Sequence, residues 1–348
     1  MQTVTAVLEA QFSRWAGTGV GSIERDVLGA DQPTEIAAIF ERFCLERLGA
    51  SPSDALFYAA SAGCVLGVRL ASGDDVVIKA YQRRWERAFL DAVQAGQERA
   101  AEGGLPCPRP LAAPIAIAPG RTNLAVVESW LPDPGMRPGG SAAARAASAG
   151  GLSCQIALCR DLNGSERLHR HPLRQSGAGI YGQPHSPLFD FESTAAGAEW
   201  IDEVALEARQ LRDQDDSTPI VAHTDWSARN VRFDDDGLLA VYDWDSLALV
   251  TESTALGQAA MTWSVTADPG GTEFPTRDSV LAYIDDYEKE RGASFSRLQL
   301  RSAQAAAAYV LAYTARCEHS LAARRLARPD QGTARERLAE IGAQMLSA

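Results

Sequence analysis

The segment 221–245, VAHTDWSARNVRFDDDGLLAVYDWD, concentrates side chains that can bind a metal ion or move a proton, among them Asp225, Asn230 and Asp243. Carboxylate and amide oxygens are ligands that Mg²⁺ takes from proteins, together with water and phosphate oxygens. A carboxylate that stays free of the metal can accept the proton of an attacking hydroxyl group. These residue types therefore indicate metal-assisted transfer of a phosphoryl group to an alcohol.

The turn that follows Asn230 decides which of these side chains meet. Asp236-Gly237 is a dipeptide typical of a two-residue type I′ turn, and it predicts a hairpin in which Asn230 lies directly opposite Asp243. Residues opposite each other on paired strands have Cβ atoms ~5 Å apart, close enough to share one ion. We therefore expect Asn230 and Asp243 to be metal ligands. Asp225, on the loop leading into the hairpin, is expected to contact the hydroxyl group.

The pattern His223-x-Asp225-x₄-Asn230, followed by Asp243-Trp244, resembles the catalytic and metal motifs of the aminoglycoside phosphotransferase family, which has the protein-kinase-like fold. The resemblance implies that Asp225 is the catalytic base and that His223 is a structural residue of the loop. It implies that Asn230 and Asp243 bind Mg²⁺. It also implies ATP, with GTP as the other option, as the phosphoryl donor.

The segment departs from the family's usual H-G-D-x-x-x-x-N motif in two places. Thr224 replaces the glycine, and residues 226–229 replace a stretch that usually contains histidine. Neither change removes a catalytic group, although Arg229 beside the phosphates could alter substrate preference. A structural alternative stays open, because an isolated Asp or Asn near a turn is more often a cap or an Asx-turn than a ligand.

Lys79, at the end of the run VVIK, is the residue that we expect to bind the α- and β-phosphates of the nucleotide. The run resembles the V-A-I-K element of kinases, and Lys79 is one of only two lysines among 33 basic residues. A compact ammonium group is a point charge suited to phosphate, whereas the alternative is a solvated lysine at a strand end. Glu98, on a predicted helix from Trp85 to about Glu102, is the candidate ion-pair partner, unless it only occupies an exposed helix face.

Two further segments are expected to contact the nucleotide. Ser61 and Gly63 lie in the predicted turn between the first two strands, which would cover the phosphates; a simple hairpin turn is the alternative. Glu128 and Trp130 follow a predicted strand at 124–127, where the family has its interlobe hinge. Their backbone groups would then form hydrogen bonds with adenine.

The order of predicted elements indicates an α+β fold, which the resemblance places in the bilobal protein-kinase-like class. Residues 55–81 show short apolar runs separated by turn residues, a pattern typical of an antiparallel meander. Helices dominate after about residue 251. We expect a small β-rich N-lobe at 1–127, with a helical extension to about residue 50, a hinge at 128–135 and a larger, mainly helical C-lobe at 136–348.

The composition is typical of a soluble globular enzyme. The net charge of the 348-residue chain is −12, which disfavours binding to nucleic acid or to an anionic membrane. No segment approaches the ~18 consecutive apolar residues of a membrane span, and the N-terminus lacks a signal-peptide pattern, so we expect a cytoplasmic location. The six cysteines form no C-x-x-C pair, which favours free thiols over disulfides or zinc. We expect a monomer or a weak dimer.

The phosphoryl acceptor is a small molecule whose identity the residues constrain only loosely. The net charge favours a cationic acceptor. Aromatic residues of the long loop 163–191 could stack on a planar or sugar-bearing ligand, or they could pin the loop to the helices. The aromatic residues are Tyr181, His185, Phe189 and Phe191. The carboxylates available to amines include Asp190, Glu192, Asp202, Glu203, Asp245, Asp285, Asp286 and Glu288, most of which would also suit solvated helix faces.

Three functions remain open at this point. The resemblance implies a kinase that inactivates an antibiotic, either an aminoglycoside or a nucleoside antibiotic of the capuramycin class, and so confers resistance. A metabolite kinase of the same fold would use a choline- or homoserine-like acceptor. The third is a catalytically silent nucleotide-binding protein, against which the presence of Asp225, Asn230 and Asp243 together argues.

Overall fold

The computed structural model describes residues 1–17, 19–135, 141–170, 179–266, 274–326 and 333–347, and the chain divides into two compact units. Each unit draws on separate stretches of the chain, whereas the lobes expected from the sequence are uninterrupted. The N-terminal unit comprises Met1–Ala95, Pro108–Leu131 and Gln183–Phe189, and the C-terminal unit comprises Gly96–Cys107, Pro132–Gly182 and Asp190–Ala348.

The N-terminal unit is built on a five-stranded antiparallel sheet with the strand order β1-β2-β3-β5-β4. β-branched residues fill its central strand β3, where Val76 and Ile78 are buried, as expected for side chains that pack on a pleated surface. The strands are β1 (Pro52–Ala60), β2 (Gly63–Leu70), β3 (Asp75–Tyr81), β4 (Pro110–Ala116) and β5 (Leu124–Ser129).

Three helices complete the core of this unit. They are α1 (Val4–Arg14), α2 (Ser22–Leu28) and α3 (Pro33–Phe43), and the last continues as a π-helical turn, Cys44–Leu48. In α3, Ile36, Phe40 and Phe43 recur at helical spacing, and all three are buried in one apolar core with strand residues such as Leu66. Gly49 ends the segment in the left-handed conformation, with φ 76°, which glycine adopts without strain.

The C-terminal unit is mainly helical and contains two small antiparallel sheets. A further helix, α4 (Arg87–Glu102), begins in the N-terminal unit and ends in this one. The unit's own helices are α5 (Ala142–Leu158), α6 (Glu199–Arg212), α7 (Glu252–Thr262), α8 (Arg277–Arg291), α9 (Arg297–Ala323) and α10 (Ala334–Leu346). The sheets pair β6 (Ile220–His223) with β9 (Leu247–Val250), and β7 (Val231–Phe233) with β8 (Leu238–Val241).

Small residues allow α7 and α9 to pack closely. A Cβ atom on Gly257 of α7 would lie 1.9 Å from the backbone oxygen of Ala303 on α9, so only glycine fits there. The alanines at 305–308 are fully buried in the same helix. The Ala-rich segment of the sequence is therefore a helix-packing surface.

Most of the predicted elements are confirmed, including the meander, the strand at 124–127 and the helices that follow residue 251. The strands β4 and β9 were not predicted. Within the described ranges, no helix combines the length and the apolar character needed to cross a membrane.

Candidate functional site

The loop from Thr224 to Asn230, here called the Asp225 loop, begins where β6 ends. Thr224 anchors its start, because the backbone N–H and the Oγ1 hydroxyl of Thr224 both donate to the carbonyl oxygen of Ser246, at 3.0 and 2.7 Å. Trp226 is buried, and its indole N–H donates to the Ser148 carbonyl at 3.0 Å. The side chain of Asp225, the residue before Trp226, is exposed. A buried, hydrogen-bonded frame thus presents one carboxylate at the surface of the unit.

His223 is buried and has a structural role, as the resemblance implied. Its Nε2 lies 2.9 Å from the carbonyl oxygen of Tyr242, and its ring meets the rings of Trp226 and Trp244 edge-on at centroid distances of 5.7 and 6.0 Å. Because Tyr242 precedes Asp243, the imidazole links the start of the Asp225 loop to the segment that carries the second candidate ligand.

Asp225 and Asn230 are in direct contact. The Asn230 amide donates from Nδ2 to Asp225 Oδ2 at 2.7 Å and to the Asp225 backbone oxygen at 3.1 Å. The backbone between them forms a single helical turn, in which the N–H groups of Asn230 and Val231 both donate to the Ser227 carbonyl. The five-residue spacing read from the sequence is therefore the spacing that brings this amide to this carboxylate.

The hairpin that contains Asn230 exists, but its predicted register is wrong. Val231 pairs with Val241, and the Tyr242 N–H donates to the Asn230 carbonyl at 2.8 Å, so Asn230 lies opposite Tyr242 rather than Asp243. Asp243 instead follows the end of β8 in a left-handed conformation, with φ 60° and ψ 50°. A non-glycine residue held there stores about 1–3 kcal/mol of strain, and such residues cluster at functional sites.

The predicted type I′ turn at Asp236-Gly237 is also wrong, for a local reason. The Asp234 carboxylate accepts the backbone N–H groups of Asp236 and Gly237, at 2.9 and 3.1 Å. These bonds form an Asx-type turn that lengthens the loop to four residues between Phe233 and Leu238, which are paired. The hydrogen bonds to the Asp234 carboxylate thus determine the turn, and the preference of Asp236-Gly237 for a type I′ turn does not.

The amide oxygen of Asn230 and the carboxylate of Asp243 are the kinds of ligand that a hard divalent cation takes. Since the Asn230 amide nitrogen donates to Asp225, the amide oxygen is the atom left to act as a ligand. The Asp243 carboxylate is the second oxygen donor, and Mg²⁺ usually takes only one or two carboxylates and fills its other positions with water and phosphate oxygens. Across the described part of the chain, no three His, Cys, Asp or Glu side chains cluster as a metal site.

In the N-terminal unit, Lys79 is buried within the sheet and forms an ion pair. Its Nζ lies 3.3 Å from Glu128 Oε2, and the side chains of Lys79 and Glu128 are 9% and 6% exposed. The register explains the contact, because Lys79 pairs with Val126 and Glu128 pairs with Val77, which places both side chains on one face of the sheet. Lys79 is therefore not a solvated lysine at a strand end.

The structure corrects the partner expected for Lys79. The ion pair forms with Glu128 of β5, whereas Glu98 is exposed on α4. A contact between Glu98 and the nucleotide stays a prediction. The sequence predicted a role for the backbone of Glu128 and none for its carboxylate. The ion pair could not be predicted, because sequence spacing alone does not reveal the register between two strands so distant in the chain.

The backbone donors after Glu128 are already used within the sheet. The Ser129 N–H donates to the Arg109 carbonyl at 2.8 Å, and the Trp130 N–H donates to the Asp75 carbonyl at 3.1 Å. The expected contact between Trp130 and adenine therefore has to use a group other than this N–H. The Trp130 ring packs against Phe57, with centroids 5.7 Å apart.

Ser61 lies in the turn between β1 and β2, as predicted, whereas Gly63 is the first residue of β2. The Ser61 N–H donates to the Gly63 carbonyl at 3.1 Å, and a Cβ atom on Gly63 would lie 2.5 Å from the backbone oxygen of Ala80. Glycine is thus required at 63 by strand packing. Gln82, which the sequence did not single out, fixes the turn by donating from Nε2 to the carbonyl oxygens of Ala62 and His185, at 2.8 and 3.0 Å.

The aromatic residues considered for ligand stacking are largely engaged with each other. Tyr181 lies within 5.2–6.2 Å of the rings of Phe191, Tyr309 and Tyr313, and its hydroxyl donates to Asp202 at 2.9 Å. His185 and Phe189 pack edge-on at 4.8 Å. The alternative, that these rings pin the loop, accounts for these contacts.

Several candidate carboxylates for a cationic acceptor are also engaged within the protein. Asp286 pairs with Arg145 at 2.7 Å, Asp285 pairs with Lys289 at 2.6 Å, and Asp202 pairs with Arg316 at 3.2 Å. Glu192 and Glu203 are exposed.

Comparison with solved structures identifies the fold. The chain is similar to the amicoumacin kinase hAmiN, solved with AMP-PNP, Ca²⁺ and Ami, with a TM-score of 0.63 and 12% identity over 90% of this chain and 96% of that one. It is also similar to a choline/ethanolamine kinase family protein from Mesorhizobium loti, with a TM-score of 0.50 and 13% identity over 88% and 93% of the two chains. An ethanolamine kinase from Plasmodium vivax matches with a TM-score of 0.50 and 11% identity, over 84% and 83%.

Sequence comparison adds nothing to this result, since no family model and no curated protein matches the chain. These three solved structures are small-molecule kinases by name, and at 11–13% identity the likeness bears on the fold alone. The fold implied by the motif resemblance is thereby confirmed, and the chain has a kinase-like α+β fold.

Proposed function

We propose that the chain is an ATP-dependent O-phosphotransferase that transfers the γ-phosphoryl group to a hydroxyl of a small molecule. The observation that carries the proposal is the Asp225–Asn230 contact of 2.7 Å at the surface of the C-terminal unit, in a chain with a kinase-like fold. A carboxylate held by an amide suits the base of phosphoryl transfer, and Asp243, held in a left-handed backbone conformation, supplies a second carboxylate in the same unit.

Asp225 acts as the catalytic base in this proposal. Its carboxylate orients the acceptor hydroxyl and accepts the hydroxyl proton as the acceptor oxygen forms a bond to the γ-phosphorus. The bond between the γ-phosphorus and the β–γ bridging oxygen breaks, and ADP leaves with that electron pair. Asn230 holds the Asp225 carboxylate in position through its amide N–H groups.

The remaining residues bind the nucleotide and its cation. Lys79 neutralises charge on the α- and β-phosphates, and Glu128 orients the Lys79 ammonium group. Asn230 Oδ1 and the Asp243 carboxylate hold Mg²⁺, which when bound neutralises charge on the phosphates. The presence of AMP-PNP and Ca²⁺ in the hAmiN structure supports a nucleotide and a divalent cation here, with ATP preferred over GTP as the working hypothesis.

An antibiotic is the acceptor that we propose first. The amicoumacin kinase matches with a TM-score of 0.63, and the net charge of −12 favours a cationic molecule. Phosphorylation would inactivate the antibiotic in the cytoplasm and confer resistance. Amicoumacin, aminoglycosides and nucleoside antibiotics of the capuramycin class are the compounds to test, with the protein acting as a monomer or weak dimer.

A metabolite kinase is the second candidate. Two of the matching structures are a choline/ethanolamine kinase family protein and an ethanolamine kinase, both at a TM-score of 0.50. Their names point to small amino alcohols, which would suit the same negative net charge. Choline, ethanolamine and homoserine therefore belong in the same assay.

Release of ADP from Mg·ATP, measured against this panel with the parent protein and Asp225→Ala, tests the proposal. Stimulation by one compound, lost in Asp225→Ala and kept in Asp216→Asn, would support the activity and name the acceptor; Asp216 is an exposed aspartate just before β6. If no compound stimulates release of ADP, the assay is extended to an unbiased metabolite mixture. Binding of Mg·ATP with no release of ADP in that assay either would support a silent nucleotide-binding protein.

A further inference from the structure

Arg232 of β7 is a buried cation that holds the Asp225 loop by its backbone. Its side chain is 9% exposed. Its Nη1 donates to the carbonyl oxygens of Ala228 and Arg229, at 2.6 and 3.0 Å. Its Nε and Nη2 donate to Oδ1 and Oδ2 of Asp133, at 2.8 and 2.9 Å. Arginine suits this position because its planar group can bind a carboxylate with two parallel bonds and still donate elsewhere.

These contacts fix the peptide group that precedes Asn230. Its carbonyl, that of Arg229, accepts from Arg232 at 3.0 Å, and its N–H donates to the Ser227 carbonyl at 2.9 Å. A peptide group is planar, so bonds at both ends leave it little freedom to rotate. Arg232 therefore helps to fix the orientation of Asn230, and with it the 2.7 Å contact between Asn230 and Asp225.

The segment that contains Asp133 also contacts the residue next to Asp243. The Tyr242 hydroxyl donates to the Pro132 carbonyl at 3.1 Å, and the Arg232 Cζ lies 5.6 Å from the centre of the Tyr242 ring. One short segment, Pro132–Asp133, is thus bonded to both chain segments that carry the candidate metal ligands.

We propose that Asp133 and Arg232 are positioning residues for the reaction, an inference that rests on the proposed phosphotransferase function. Asp133 orients the Arg232 guanidinium, and Arg232 sets the Asn230 peptide, through which the Asp225 carboxylate is held. A buried arginine is costly to desolvate and its ion pair adds little net stability, so the geometry that Arg232 imposes on the loop is the better account of its place in a short strand.

The pair is tested with Arg232→Lys and Asp133→Asn. Each substitution removes the two parallel hydrogen bonds between the side chains. Arg69→Lys is the control for the first, because Arg69 of the N-terminal unit binds Asp75 with the same two-bond geometry, at 2.7 and 2.8 Å. Asp213→Asn controls for the second, since its side chain is 50% exposed compared with 48% for Asp133.

We expect kcat to fall about 10- to 100-fold in both variants, because a displacement of about 1 Å in a catalytic group costs about that much. Affinity for ATP without Mg²⁺, and the KM of the acceptor, should change less than about twofold. The two controls should retain parental kcat. The Arg232→Lys/Asp133→Asn double variant should be no slower than Arg232→Lys alone, as expected for residues that act as a unit. Additive losses, or equal losses in the controls, would overturn the inference.

Hydrogen exchange separates this inference from the proposed function. If the parent releases no ADP with any acceptor, the proposed function fails, while the amides of Asn230 and Val231 still report on the loop. Exchange of these amides that is accelerated in both variants by more than the change in global unfolding free energy explains would support the positioning role. Unchanged exchange, or acceleration spread evenly over the whole C-terminal unit, would overturn it in favour of a purely structural pair.

Discussion

Asn230 Nδ2 donates a 2.7 Å hydrogen bond to Asp225 Oδ2, so the amide oxygen of Asn230 is the atom left for a cation. In the proposed reaction the Asp225 carboxylate would accept the proton, and the Asn230 amide oxygen would bind the cation. We predict that Asp225→Asn, which keeps the shape but cannot accept the proton, lowers kcat by roughly two to four powers of ten. Nucleotide affinity, measured by calorimetry, should stay within about twofold of the parent.

The control for this variant is Asp216→Asn, which removes an exposed carboxylate from the same unit. It should leave kcat unchanged. Parental turnover in Asp225→Asn would contradict the role given to Asp225 and return the loop to a structural interpretation.

Asp243 is predicted to determine the response to Mg²⁺. Its left-handed backbone, φ 60°, places a carboxylate directly after β8, and that carboxylate is the only charged ligand we assign to the cation. Asp243→Ala should therefore reduce the gain in ATP affinity that Mg²⁺ provides, without altering the affinity for ATP alone. Titrations of ATP with and without Mg²⁺ measure both quantities, and an equal gain in variant and parent would refute the metal assignment.

The predictive power of the sequence was highest where the signal is local. The apolar run that predicts β3 and the five-residue spacing from Asp225 to Asn230 both involve residues a few positions apart. The strand and the contact between the two side chains are both present in the structure. The register of the hairpin was missed because the Asp234 side chain, not the Asp-Gly dipeptide, shapes the turn.

Contacts between distant segments were beyond the reach of the sequence. Lys79 and Glu128 meet only because β3 and β5 are neighbours in the sheet, and Arg232 meets Asp133 across 99 positions. No periodicity encodes such a pair. The one available signal for Arg232 is a charged residue within the apolar run VRF, which indicates a buried partner without naming it.

The Lys79–Glu128 pair allows stability and binding to be separated. Lys79→Met would leave the Glu128 carboxylate buried, which we expect to lower the free energy of unfolding by roughly 3 kcal/mol. Lys79→Met/Glu128→Leu should recover most of that loss, because an apolar pair of similar size avoids the unpaired charge. Both variants should lose ATP affinity, because both lack the ammonium group. Urea denaturation and ATP titration measure the two effects, and a double variant that binds ATP normally would exclude Lys79 from the site.

The cysteines are predicted to differ in reactivity by burial. Burial raises the pKa of the Cys44 thiol to about 12 and that of Cys159 to about 11, so both stay protonated at pH 8 and react slowly. Cys154 is exposed and should react first. Titration with a chromogenic disulfide at pH 8, followed by peptide mapping, checks the order. Rapid labelling of Cys44 in the folded protein would contradict the packing of the N-terminal core.

The Asp133–Arg232 pair predicts a pH dependence of stability with a definite sign. The hydrogen bonds from Arg232 hold the pKa of Asp133 below its usual value of 3.8, so the folded state favours the ionised form. The stabilisation is therefore fully present above the unfolded pKa and is lost as the pH falls through the lower, folded value.

The difference in unfolding free energy between the parent and Asp133→Asn should be constant from pH 7 to 5 and shrink towards pH 3. Since the Asp133 side chain is half-exposed, solvent screening keeps the difference at about 1 kcal/mol or less. Urea midpoints across this range measure it. A difference that persists unchanged at pH 3 would mean that Asp133→Asn acts by disturbing the packing around Arg232 and not by removing a charge.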